Sequence, residues 1–155
     1  MKILITGGSG LIGKPLVKSL LEDGHQVNVL TRSPDKARKV IPQGTIPVKW
    51  DGKTTDGWGH LINETDAVIN LAGESLTGGS ITSILTDRWT KQKKARIIAS
   101  RVNAGKAITA AIQQAEKKPE LLVQSSAVGY YSPSGTQLLT EDSPAGSDFS
   151  AQTCQ

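Results

Sequence analysis

The sequence predicts an α/β protein built on a doubly wound parallel sheet, with strand order 3-2-1-4-5 and truncated after the fifth strand. Three observations carry this. A short apolar run, Lys2-Ile3-Leu4-Ile5-Thr6, leads without a break into Gly7-Gly8-Ser9-Gly10-Leu11-Ile12-Gly13. A helical pattern follows at once. A second strand-like run, residues 26–31, arrives after Gly24, which stands where a helix C-cap belongs. Together they make one βαβ unit, and right-handed crossovers from an apolar first strand leave few other sheet orders.

The turn after the first strand is read as a phosphate site. Gly7 is expected to let the chain leave the strand sharply, Gly10 to present no Cβ to a pyrophosphate, and Gly13 to let the next helix sit close to the sheet. The helix then begins beneath the phosphates, its free N–H groups and positive dipole end facing the anion. Its apolar rows are read as Ile12, Leu16, Leu20 and Val17, Leu21. A glycine-rich turn that merely packs is the alternative, and the strand before and helix after the motif weigh against it.

The second strand ends at Thr31-Arg32-Ser33-Pro34. In a dinucleotide fold this tip lies beside the adenosine ribose, where an acid suits the 2′-hydroxyl of NAD and a basic group the 2′-phosphate of NADP. Arg32 occupies it, while Asp35 is assigned to the first turn of a short helix over residues 35–40. The tip therefore points to NADP(H), with NAD as the alternative cofactor and a solvated surface arginine as the bland reading of Arg32. A third strand over 46–50 is placed at the sheet edge because Pro47 cannot donate to a ladder. Asp51 either reaches an adenine amine or starts the turn of a polar connector over 52–59.

Residues 66–73 read as a strand covered on both faces, and the small Ala72 and Gly73 at its end permit a close pass by the cofactor. A loop over 74–86 leads to a long helix capped by Thr86 or Asp87. Its apolar rows are Ile97, Arg101 through its stem, Ile108 and Ile112, beside Ile98, Val102, Ala111 and Ala115. A fifth strand follows Pro119, over 120–125, and runs into Ser126-Ala127-Val128-Gly129-Tyr130-Tyr131. From Ser132 the chain is rich in Ser, Pro, Gly and Thr. The expected division is a nucleotide-binding domain over 1–131 and a mobile tail over 132–155. With nothing after the fifth strand, the sheet is expected to expose an apolar patch near the tail or to be covered by it.

Composition narrows the function classes. A chain of 155 residues with 37% hydrophobic and 21% charged residues is long and apolar enough to bury a real core. One Phe, two Tyr and three Trp point to an aliphatic one. The net charge of +4 comes mostly from Lys91 to Arg101 on one helix, without the aromatic interleaving of single-strand binders, so a nucleic-acid partner is the weakest reading. A single cysteine, Cys154, gives no disulfide framework or metal cluster and makes a reducing cytoplasm the default. No leader is apparent and no apolar run nears the roughly 20 residues that span a bilayer, so no membrane association is expected.

The motifs Thr6-Gly7-Gly8-Ser9-Gly10-Leu11-Ile12-Gly13, Asn70-Leu71-Ala72-Gly73 and Ser125-Ser126 together resemble the extended short-chain dehydrogenase/reductases, Rossmann-fold proteins that include nucleotide-sugar epimerases and dehydratases. A narrower resemblance rests on Asn70-Leu71-Ala72-Gly73-Glu74, Arg88-Trp89-Thr90, Lys94, Ile97, Ser100-Arg101, Ser126 to Tyr131 and Glu141-Asp142. These look like the atypical SulA-homologue or YfcH-like epimerase branch. The resemblance implies that Gly7, Ser9, Gly10, Leu11, Ile12 and Gly13 surround the pyrophosphate. It implies too that Thr31 and Arg32 face the adenosine ribose, that Asp51 lies by the adenine, and that Leu71, Ala72, Gly73 and nearby Glu74 line the nicotinamide half, with Ser125 at the fifth strand end. Ser126 falls where the superfamily has its catalytic serine.

The superfamily's Tyr-x-x-x-Lys pair has no counterpart, since this branch carries a cysteine at the tyrosine position and Cys154 stands there. Tyr131, with Tyr130 beside it, is the remaining acid/base candidate, and its bland role is packing. The chain is thus expected to be the N-terminal portion of an epimerase or oxidoreductase acting on a small, sugar-like substrate, inactive by itself; a non-catalytic NADPH-binding or sensing module is the alternative.

Overall fold

In the computed structural model, which describes residues 1–75 and 90–155, β1 (Lys2–Thr6) is the centre of a parallel sheet. It pairs with β2 (Gln26–Thr31) on one side and β4 (Ala67–Asn70) on the other, so that Ile5 lies opposite both Val29 and Ile69. β3 (Ile46–Lys49) and β5 (Leu121–Gln124) complete the order β3-β2-β1-β4-β5, as the crossover argument predicts. Pro47 sits in the edge strand opposite Val29, where its missing N–H costs the ladder nothing.

Alternation along β1 sends its side chains into two cores, as a doubly wound sheet requires. Ile3 and Ile5 join Val27, Val29, Ala67 and Val17 beneath helix α1 (Gly13–Glu22). Leu4 joins Leu30, Val68, Ala104, Ala107, Ile108 and Ala111 beneath helix α3 (Lys91–Gln114). A shorter helix, α2 (Pro34–Arg38), follows β2.

Several expectations are corrected. Ile12 is not on the apolar face of α1; it is 69% exposed at the turn, one residue before the helix begins. The seam of α3 is Ile97, Ala104, Ala107, Ile108 and Ala111, whereas Ile98 and Val102 are exposed. Small alanines let the helix approach the sheet closely, and the bulkier row beside them turns outward. The helix starts later than expected: the Thr90 hydroxyl accepts from the Lys93 N–H at 3.2 Å and caps it. The expected caps Thr86 and Asp87 lie outside the described residues, as do Arg88 and Trp89.

The core is not purely aliphatic either. Trp50 and Trp58 are buried in the α3-side core, edge to face with ring centroids 5.9 Å apart. Both indole N–H groups donate to the Thr54 carbonyl, at 2.9 and 2.8 Å. The connector after β3 is therefore pinned from beneath, and a short 3₁₀ helix, Gly59–Glu64, carries Ile62 into the same core. On β5, Leu121, Leu122 and Val123 are 51%, 44% and 42% exposed.

Residues Met1–Gln124 form one compact unit and Ser125–Gln155 a second. The second holds a 3₁₀ turn, Val128–Tyr131, and a helix that the composition of the tail gave no reason to expect, α4 (Phe149–Cys154). The Asp148 carboxylate caps it, accepting from the Ala151 N–H at 2.9 Å. The Cys154 thiol lies 4.0 Å from the Ala127 carbonyl oxygen, and Tyr130 and Tyr131 pack edge to face. No helix among the described residues is long and apolar enough to cross a membrane.

Candidate functional site

At the C-terminal ends of the strands lies an open cleft of about 1040 Å³, the place where ligands of open α/β sheets bind. Its floor is the glycine turn. Gly7 has φ +70°, which a side chain rarely adopts, and a Cβ there would meet the Leu71 carbonyl oxygen at 2.6 Å. The Gly10 N–H closes the turn on the Gly7 carbonyl at 2.9 Å. Around Gly10 there is room, since a Cβ would approach only that same oxygen, at 3.1 Å. No side chain caps α1 and its first turn carries no acid; the Lys14 N–H donates to the Gly10 carbonyl at 3.1 Å and Pro15 has no N–H, so an anion here would be met by the backbone of the turn just before them.

Gly13 is not part of the lining. A Cβ there would press into the Gly7 carbonyl oxygen and the Gly8 backbone, so its bareness serves the turn itself more than the approach of helix to sheet. Leu11 and Ile12 are also outside the lining and exposed. Ser9, Thr31, Arg32, Asp51, Leu71, Ala72, Gly73 and Glu74 all line the cleft beside Gly7 and Gly10.

The end of the cleft at the tip of β2 is basic. Arg32 is joined there by Lys36 and Lys53, which the sequence reading had not singled out. Arg38 pairs with Asp35 at 2.9 Å, which keeps that acid at the helix start as expected. Asp51 starts a turn: its carboxylate accepts from the Lys53 and Thr54 N–H groups at 2.7 and 2.8 Å while still edging the cleft. The Thr54 and Lys53 N–H groups hold its pKa below the ordinary aspartate value. A depressed carboxylate contributes stability that is present above its unfolded pKa of about 3.9 and is lost as pH falls through the lower folded value. Between pH 5 and 2, roughly the window these values define, wild type should lose more stability in urea titrations than Asp51→Asn. Parallel curves would mean that the carboxylate charge is not engaged by the turn.

At the other end, buried Thr6 and Asn70 organise the backbone after β4. The Thr6 hydroxyl donates to Asn70 Oδ1 at 2.5 Å, and both oxygens accept from the Ala72 N–H, at 3.1 and 3.2 Å. Asn70 Nδ2 donates in turn to the Gln124 side chain on β5 at 2.7 Å. One wall of the cleft comes from α3, through Arg96, Ser100 and Asn103 with the small Ala99. The sequence reading missed this wall, although polar residues at 96, 100 and 103 form a stripe at helical spacing.

Ser125, Ser126 and Tyr131 belong to the second unit, where Ser125 and Ser126 are exposed and Tyr131 is half-buried in the 3₁₀ turn. Among the described residues no cluster of His, Cys, Asp or Glu has the makings of a metal site.

The sequence model of the NAD dependent epimerase/dehydratase family matches residues 3–153. The chain belongs to that family. Among curated relatives in it, the chloroplastic SDR39U1 homolog of Arabidopsis thaliana is 34% identical over 100% of this chain and 42% of its own length. YfhF of Bacillus subtilis is 35% identical over 99% of this chain and 46% of its own. The chain thus spans less than half the length of these relatives. The crystal structure of human SDR39U1 with NADPH superposes with a TM-score of 0.74 at 29% identity, over 99% of this chain and 46% of that one. A UDP-glucose-4-epimerase from Stenotrophomonas maltophila with bound NAD and formylated UDP-arabinopyranose also gives 0.74, at 21% identity, over 99% and 45%, and shares the fold.

Proposed function

We propose that the chain is the NADP(H)-binding portion of an extended short-chain dehydrogenase/reductase, with NAD the lesser ligand, and that the whole protein is an epimerase or oxidoreductase acting on a sugar-like, nucleotide-linked substrate in a reducing, cytoplasmic setting. The observation that carries the reading is the pairing of the uncapped start of α1 at the glycine turn with a basic far end at Arg32, Lys36 and Lys53. A pyrophosphate suits the first and a 2′-phosphate the second, and the human relative was solved with NADPH. The cofactor supplies the hydride chemistry. Gly7, Ser9 and Gly10 hold the pyrophosphate, Thr31 and Arg32 the ribose, and Leu71 to Glu74 the nicotinamide half.

For catalysis Ser126 is assigned to polarise the substrate oxygen and Tyr131 to move the proton. A phenol with no lysine beside it to activate it is a poor base at neutral pH. The ring of Tyr131 is also engaged by Tyr130, at a centroid distance of 5.0 Å. That contact favours a second reading, a module that binds or senses NADPH without turnover. By either reading these 155 residues alone bind nucleotide and catalyse nothing. NADPH oxidation against carbonyl compounds and nucleotide sugars should stay at the buffer rate. Turnover that disappears in Ser126→Ala or Tyr131→Phe would instead locate a working site in this chain.

A further inference from the structure

The backbone of Glu74 is held by α3 from both sides. Its N–H donates to the Ser100 hydroxyl at 2.8 Å, and its carbonyl accepts from Arg101 Nη1 at 3.2 Å. Both α3 side chains are tied in turn to the helix, for Ser100 Oγ and Arg101 Nη1 each donate to the Ile97 carbonyl, at 2.9 and 3.2 Å. The Glu74 carboxylate completes the grip by accepting from Arg96 Nε at 3.1 Å. Gly73 lies flat against the same guanidinium, where a Cβ would stand 2.9 Å from Arg101 Cζ. Its φ is not in the left-handed region, so a methyl added there would strain no backbone and would press only on the guanidinium, which would have to move aside.

We propose that Arg101, with Ser100, is a positioning residue that sets the nicotinamide end of the cleft by clamping the Gly73–Glu74 backbone to α3. Arg101 is not in the cleft lining, whereas Gly73, Glu74, Arg96 and Ser100 are, so it acts through the backbone it holds. One nitrogen, Nη1, bridges the Glu74 and Ile97 carbonyls, and the rigid planar guanidinium that carries it rests against Gly73, which an ammonium on a flexible stem would not reproduce. The clamp lies at one end only; Arg32, Lys36 and Lys53 belong to the other. This inference rests on the nucleotide-binding reading above and adds to it the residue that shapes one half of the site.

The test compares two ligands in the 155-residue chain: NADPH, and 2′-phospho-ADP-ribose, which has the adenosine half and the pyrophosphate but no nicotinamide. Calorimetric titration of Arg101→Ala and Gly73→Ala should show NADPH weakened about tenfold, or about 1.4 kcal/mol, with the fragment changed by no more than about twofold. Gly73→Ala keeps the arginine and displaces it, so the proposal is still tested if Arg101→Ala fails to fold. Arg101→Lys should restore little of the NADPH affinity. Equal losses for the two ligands in the folded variants would reduce Arg101 to a general structural role, and full rescue by lysine would show that only its charge matters; either overturns the clamp. Wild-type chain that binds neither ligand would sink the nucleotide reading and the clamp with it, a result distinct from wild type that binds both and variants that bind NADPH unchanged, which would sink the clamp alone.

Discussion

Gly13→Ala is expected to weaken nucleotide binding a hundredfold or more although Gly13 is not among the residues lining the cleft. The added methyl would be driven into the Gly7 carbonyl oxygen and would stand 2.6 and 2.8 Å from Gly8 Cα and C. These are backbone atoms with no rotamer to change, so either the start of α1 or the turn must move. The turn is closed by one bond, Gly10 N–H to the Gly7 carbonyl at 2.9 Å, and that carbonyl is the atom being displaced. Overpacking of this kind costs about 1–3 kcal/mol of stability. Binding should suffer more, because the backbone proposed to receive the pyrophosphate belongs to the segment that shifts. A loss of a hundredfold or more, roughly 2.7 kcal/mol, is expected by calorimetric NADPH titration on protein shown folded by circular dichroism. Gly24→Ala is the control: it forces a side chain into φ +78° with open space around it, so it should lower the melting temperature and spare binding. A Gly13→Ala protein that binds NADPH as wild type does would show that the turn tolerates the displacement.

What was legible in the sequence was what local chemistry decides. The apolar run of β1, the glycine spacing after it and Pro47 at an edge each have one sterically easy interpretation, and together they specify the sheet order. The helical period of α3 was equally plain, but the face it buries was not. Periodicity identifies rows without saying which row meets the sheet, and alanines at 104, 107 and 111 win that place because they let the helix come close. Trp58 was hidden for a related reason. It lies in a stretch of polar and glycine residues that reads as a surface connector, and only the sheet order brings it onto Trp50 and Val68. The cleft shows the same division. Residues on the glycine turn and at strand ends were readable as a motif, whereas Lys36, Lys53 and Ser100 reach the site through tertiary placement. Arg101 stood out as a cation on an apolar row and as part of the Ser100-Arg101 motif; what it holds, the Glu74 carbonyl, is 27 residues away in the chain.

Arg32→Asp is expected to reverse the nucleotide preference. Arg32 lines the cleft at the tip of β2, where the adenosine is proposed to sit; its carbonyl is held by the Lys49 ammonium at 2.5 Å, and its guanidinium has no hydrogen bond or ion pair among the described residues. The nearest acid in sequence, Asp35, is taken by Arg38. The guanidinium is therefore free to meet a 2′-phosphate, and a charge-assisted bond of that kind is worth about 1.5–3 kcal/mol, a preference of about ten- to a hundredfold for NADPH over NADH. Aspartate removes that bond, repels the phosphate and offers an acceptor to the 2′-hydroxyl of NADH, so both terms move the ratio the same way. Lys36 and Lys53 remain, and they should leave a residual attraction for NADPH that weakens with added salt. Titrating both nucleotides into wild type, Arg32→Ala and Arg32→Asp separates the terms: alanine should bring the two affinities together, and aspartate should carry the preference past parity. An affinity ratio that stays the same across all three proteins would leave Arg32 a solvated surface residue and move the choice of cofactor to the two lysines.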